Sequence, residues 1–170
     1  MESKMNQAIA GLVVLVAGLT SGVVAAQVNA DVENFNAAVE EARTIIQTER
    51  KMMIVQNLTL TDSEAEKFWP LYDKYAAELK EAGDLRVKTI KDFALAYNSN
   101  SVTDADAKQM LDNMLKFQKK SLSVREDYRN KFRKILGDTK TARFYQIENK
   151  LDAITNMILA REVPLVPVVQ

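Results

Sequence analysis

The sequence predicts an all-α protein of four long amphipathic helices arranged as two helical hairpins. Three observations lead there. Only five Gly and three Pro occur in 170 residues, while Ala, Leu, Lys, Glu and Asp are plentiful, which suits long helices joined by few turns. Apolar residues recur at spacings of three and four in four successive stretches, the period of a helix with one buried face. Lastly, the segment from Leu60 to Leu79 opens like a helix with a heavy aromatic load: Phe68, Trp69, Tyr72 and Tyr75 fall within eight positions. A chain of this length can bury one real core and is too short for two ordinary domains.

Residues 1–30 have the layout of a secretory signal peptide. Lys4 gives a weakly basic start, Ala8 to Leu19 is uninterrupted apolar sequence, and small residues follow. Cleavage is expected after Ala26 or Ala30. The alternative is an uncleaved membrane anchor, since the apolar region stretches to about twenty residues when Gly and Ser are counted. Both readings place the domain outside the cytoplasm, in the periplasm. An exported chain without cysteine must draw its stability from helix packing.

The first helix is expected from Asp31 to about Gln56, with Phe35, Val39, Ala42, Ile46 and Met53 on its apolar face. Asn57-Leu58-Thr59 fits an N-glycosylation pattern, and equally an ordinary turn. The second helix starts at a Thr61 cap, with Glu64 placed to reach back and complete a capping box, and runs to about Tyr97. Pro70 lacks the N–H for the carbonyl of Glu66 and predicts a bend. Gly83 lies on the apolar stripe and predicts a close crossing or curvature. Thr103 caps the third helix, with Asp104 and Asp106 in its favourable first turn. Its stripe runs from Met110 through Met114, Phe117, Val124, Tyr128 and Phe132 to Ile135, and Gly137 supplies a left-handed stop. A fourth helix is expected from about Thr139 to Arg161 on Phe144, Ile147, Leu151, Ile154 and Ile158. Residues 162–170 alternate apolar residues with prolines, which predicts an extended tail lying along a groove.

Composition excludes much chemistry. No Cys or His occurs, which removes disulfides, thiolates, imidazole bases and the best transition-metal ligands. There is no Glu-x-x-His pair, activated nucleophile or glycine-rich phosphate loop, so no enzyme, cofactor or metal site is expected. Lys plus Arg and Asp plus Glu both number 23, so overall charge predicts no nucleic-acid partner. A local excess does exist. Between Lys116 and Lys134 eight basic residues face only Glu126 and Asp127, which reads either as a solvated face or as a surface for an anionic or unfolded partner. On the second reading Arg125, Arg129 and Arg133, with Met110, Met114 and Phe117 nearby, form the candidate partner-binding surface. Methionines beside the stripes serve either core filling or adaptable contact.

A shift of 76 residues lays Leu60 on Leu136, Asp62 on Asp138, Lys67 on Arg143, Phe68 on Phe144, Trp69 on Tyr145 and Lys74 on Lys150. The chain thus reads as two hairpins of related design. Leu60-Thr61-Asp62-Ser63-Glu64 resembles the repeated Leu-Thr-x-x-Gln motif of the Spy/CpxP group of periplasmic stress proteins, with Glu in place of Gln. The second copy, Leu136-Gly137-Asp138-Thr139-Lys140, is degenerate. The stretch from Ala142 to Ala153 and the ending from Leu159 to Val166 are similar to those of exported relatives of that group. The resemblance implies a thin, curved helical cradle, often a homodimer, that holds unfolded clients without ATP or modulates an envelope-stress sensor. It also implies unfolded or envelope proteins as partners, with the alternative of a regulatory or structural module for one specific partner such as a sensor kinase.

Overall fold

The computed structural model describes the backbone of residues 25–168 and the side chains of residues 33–168; the apolar stretch of the expected signal peptide lies outside them. Among the described residues there are three helices: α1 (Ala25–Asn57), α2 (Asp62–Asn98) and α3 (Asp104–Glu162). The all-helical class is as expected, but the helices number three, not four. The difference lies at Gly137, whose φ of 71° and ψ of 177° place it in a region that only glycine enters readily. That single residue redirects the chain, and the helix resumes at Asp138 with no intervening loop. α3 therefore has two limbs, residues 104–136 and 138–162. A straight helix would hold Arg125 and Asp152 about 40 Å apart. Instead they form an ion pair, and the Tyr145 hydroxyl donates to the Arg125 carbonyl at 2.6 Å, so the limbs are folded back on each other.

The starts of α2 and α3 follow the sequence closely, whereas α1 begins at Ala25, ahead of the expected Asp31. Thr61 Oγ1 accepts from the Glu64 N–H at 3.3 Å, and Glu64 Oε2 accepts from the Thr61 N–H at 2.8 Å, which completes the capping box. Thr103 and Asp106 repeat the arrangement at the head of α3, at 3.2 and 2.9 Å. At the end of α1 the Asn57 carbonyl accepts from Arg143 Nε, so an orphan carbonyl is met by a guanidinium from α3. The Asn57 side chain is itself half-buried and donates to the Met53 carbonyl at 2.8 Å, as turn chemistry requires. α2 passes through Pro70 without a break.

α1 and α2 run antiparallel, tied by Arg43–Asp84 at 2.5 Å and Lys51–Asp73 at 2.9 Å. α2 runs antiparallel to the first limb of α3, as Tyr128–Glu78 and the stacking of Arg86 on Phe117 show. It runs parallel to the second limb, where Glu64 meets Lys140, Tyr75 meets Glu148 and Arg86 meets Asn156. Thus the two copies of the repeat lie side by side. Glu64 and Lys140 are themselves related by the shift of 76 residues, as are Phe68 and Phe144, whose rings meet edge to face at 5.5 Å.

All four limbs contribute to one core at the Gly137 end. Ile54 and Leu58 come from α1, Phe68, Tyr72 and Tyr75 from α2, Val124, Tyr128 and Phe132 from the first limb of α3, and Phe144, Ile147 and Leu151 from the second. Phe132 and Phe144 are closest, with ring centroids 4.6 Å apart. Aromatic pairs of this kind add roughly 0.5–1.5 kcal/mol each beyond their area. Away from this end the packing divides into a small cluster of Phe35, Val39 and Ala94 and another around Ile158.

A further expectation needs correcting. Gly83 permits no close crossing, because a Cβ added there meets nothing within 4 Å; the buried position is the neighbouring Ala82. The tail leaves α3 in extended conformation at Val163, as expected, with Val163 and Val166 half-buried and Leu165 91% exposed. Pro164 and Pro167 hold that backbone off the helical path.

The two glycines predict opposite outcomes. Gly137→Ala should destabilise by about 1–3 kcal/mol through backbone strain alone, since no atom crowds the new methyl. Gly83→Ala should stabilise by up to about 1 kcal/mol. Urea unfolding of both variants checks the pair; equal effects would mean that the reversal at Gly137 is misplaced.

Candidate functional site

Charges lie inside the core end. Glu148 is 1% exposed and accepts from Arg50 Nη1 at 2.8 Å and from the Tyr75 hydroxyl at 3.3 Å. Arg50 also reaches Asp152 at 2.6 Å, and Asp152 pairs with Arg125 through its other oxygen. Each limb thus supplies a member: Arg50 from α1, Tyr75 from α2, Arg125 from the first limb of α3, and Glu148 and Asp152 from the second. Two guanidinium groups balance two carboxylates. Glu148 Oε1 and Arg125 Nε are buried without a hydrogen-bond partner among the described residues.

The electrostatics follow from this burial. Burial pushes the Glu148 carboxyl above its usual range, and Arg50 and Arg125 pull it only part of the way back. For Arg50, burial works against the charge, but Glu148 and Asp152 outweigh it and hold the guanidinium above its ordinary value. Tyr75 is pushed up by burial and by the Glu148 charge, so its hydroxyl stays a donor. This cluster can fix the register of four limbs.

That geometry decides where the residues of the candidate surface stand. Arg125 is committed to the internal cluster and is not a free surface cation. Arg129 is exposed. Arg133 is exposed and pairs with Asp138 at 2.5 Å across the Gly137 turn. Met110 is half-buried beside Phe93 and Thr89, Met114 is exposed, and Phe117 lies half-buried under Arg86 at 5.2 Å. The set is therefore split between the core and the outer face of α3. Of the residues marked by the repeat, Phe68 and Phe144 are fully buried, Leu60, Trp69 and Tyr145 pack against the same core, and Thr61, Glu64 and Arg143 serve the helix ends.

A second surface emerges from the burial pattern. No residue from Asp104 to Ser123 is buried. Over these turns Leu111, Met114, Leu115 and Leu122 project into solvent; the last two are 52% and 57% exposed. At 100° per residue these four fall within about a third of the helix circumference, roughly a third of a turn from the inward face of Phe117, Val124 and Tyr128. Exposed Arg129 continues the row.

Comparison with known proteins finds no matching family model, no matching curated protein and no matching solved structure. Among the described residues, no helix is long and apolar enough to cross a membrane.

Two outcomes are expected. Arg50→Met should cost about 3–5 kcal/mol, because Glu148 is left buried opposite no α1 cation, and Arg50→Met with Glu148→Leu should recover most of that loss in thermal unfolding. A double variant as unstable as the single one would contradict the pairing. The second concerns acid. Glu64, through its bond from Lys140 and then from Thr61, and Asp106, through Thr103, both sit below their ordinary values. A depressed carboxylate stabilises the fold above its unfolded pKa, and that contribution is lost as pH falls through the folded value. Glu64→Gln should therefore flatten part of the stability loss between about pH 5 and pH 3. Parallel curves for variant and wild type would contradict it.

Proposed function

We propose that this chain is an exported, ATP-independent chaperone-like or envelope-stress accessory protein that binds unfolded or partner proteins in the periplasm. The observation that carries the reading is the first part of α3, where twenty successive helical residues contain none that is buried. A helix that long without a packed face is marginal on its own in water. Here its start is held by the Thr103–Asp106 capping box and by Lys108–Asp112 at 2.8 Å. It therefore presents Leu111, Met114, Leu115 and Leu122 on a formed scaffold, and burying each of these side chains is worth roughly 1.5–3 kcal/mol. Exposed Arg129 with Lys116 and Lys119 adds long-range attraction for acidic stretches of a client. Weak, exchangeable contact is the mechanism: cations gather the client, and adaptable Leu and Met side chains hold it. The resemblance of the Leu60–Glu64 motif to the Spy/CpxP group supports the same reading, and a cradle open at the end away from Gly137 is the form it would take.

A second reading has an observation of its own. Leu111, Leu115, Gln118 and Leu122 are spaced four, three and four apart, a seam suited to one helical partner, including a second copy of this chain. The module would then serve one envelope partner instead of many clients.

At equimolar ratio the purified protein should suppress aggregation of several chemically unfolded clients. Leu115→Asp with Leu122→Asp should abolish this while leaving the unfolding midpoint in place, because neither side chain is in the core. Unchanged client aggregation with wild-type protein would refute the holdase reading. One dominant crosslinked partner in the periplasm would favour the specific module.

A further inference from the structure

A groove of about 430 Å³ runs between α2 and the first limb of α3, close to the Gly137 end. Leu71, Ile135 and Pro70 form its apolar lining, and four lysines rim it. Lys67 and Lys74 stand on the α2 wall, one heptad and about 10 Å apart along the axis. Lys131 and Lys134 stand on the facing wall. All four are exposed, and none has a carboxylate within ion-pair distance among the described residues. At several other places between the helices cations are matched, as with Arg43–Asp84, Lys51–Asp73 and Lys120–Glu81. Lys131 lies over the Tyr128 ring at 4.1 Å, which holds its stem beside the groove.

We infer that this groove binds an extended acidic peptide segment, one apolar side chain seated on Leu71 and Ile135 and flanking carboxylates paired with Lys67, Lys74, Lys131 and Lys134. Charge complementarity sets the sign of the ligand, and the apolar lining requires more than charge. The lysine span of about 10 Å on the α2 wall corresponds to about three residues of extended chain. The groove is shallow and open to solvent, so the apolar side chain lies along Leu71 and Ile135 without being enclosed. The groove lies on the opposite side of the first limb from Leu115 and Leu122, so this site is separate from the client-binding row. It gives the chain a means of recognising an acidic stretch in one partner while the apolar row is occupied.

The test is fluorescence anisotropy with the full chain and a labelled peptide Gly-Glu-Asp-Leu-Glu-Asp-Gly, beside a version with Gly in place of Leu. The Leu peptide should bind at least about tenfold more tightly than the Gly peptide, and its affinity should fall with added salt. Lys67→Glu with Lys134→Glu should weaken it by about tenfold or more, and Lys74→Glu with Lys131→Glu should do the same, with helicity unchanged in both. Leu115→Asp with Leu122→Asp should leave it unaltered. Equal binding of the Leu and Gly peptides would reduce the groove to diffuse charge and overturn the inference. So would affinity indifferent to both charge reversals, or capture of anionic phosphatidylglycerol vesicles in preference to the peptide.

Discussion

The contact between Phe132 and Phe144 holds this fold in its form. Their rings lie 4.6 Å apart, where a straight helix would hold the two residues about 18 Å apart, and they meet because Gly137 reverses the chain between them. Once the second limb of α3 is folded back, Phe68 and Tyr75 of α2 close around the pair, and Ile54 and Leu58 of α1 complete the core. Remove the left-handed geometry at Gly137 and the second limb has no route to that core. Everything from Thr141, whose hydroxyl donates to the Gly137 carbonyl at 2.6 Å, to Asn156 depends on the turn.

Beside the aromatic rings the protein buries Glu148 and half-buries Arg50, Arg125 and Asp152. An apolar set of similar volume would often be as stable. What charge adds is register. Arg50 must lie opposite Glu148 and Asp152, and Arg125 opposite Asp152, so a slip of one helical turn would leave a buried charge without its partner. The same arrangement redraws the basic face of α3. A run of cations that reads from sequence as a single surface is divided into an internal member, Arg125, a member spent on the turn, Arg133, and the exposed Arg129, with the lysines of the α2 groove on the far side.

Much of the architecture is legible in the residues. The Thr61–Glu64 capping box, the Thr103 cap, the stripes of α1 and α2 near Phe68, and the kinship of Phe68 with Phe144 follow from spacing alone. Gly137 is legible as a break but not as a loop-free reversal, because the backbone angles after a glycine stop depend on what the next segment packs against. The internal cluster left a signal: Arg50 stands midway between Ile46 and Ile54, and Glu148 lies four residues beyond Phe144 and three before Leu151. A charged residue at a stripe position implies a buried partner on another element, but which partner depends on tertiary contact. The exposed row was missed for the converse reason. Met110, Met114 and Phe117 predict a buried face, whereas Met110 and Phe117 are only half-buried, Met114 is exposed, and none of them belongs to a buried cluster.

The molecule is divided along its length: a tightly pinned end around Phe132 and Phe144, and an outer helix held by its N-terminal cap and left without a buried residue over its first twenty positions. Hydrogen exchange followed by mass spectrometry reads this division directly. Peptides covering residues 68–75, 124–136 and 144–151 should show the slowest exchange, close to the global unfolding limit, and residues 104–120 should exchange far faster. Uniform protection, or strongest protection over residues 104–120, would contradict the account.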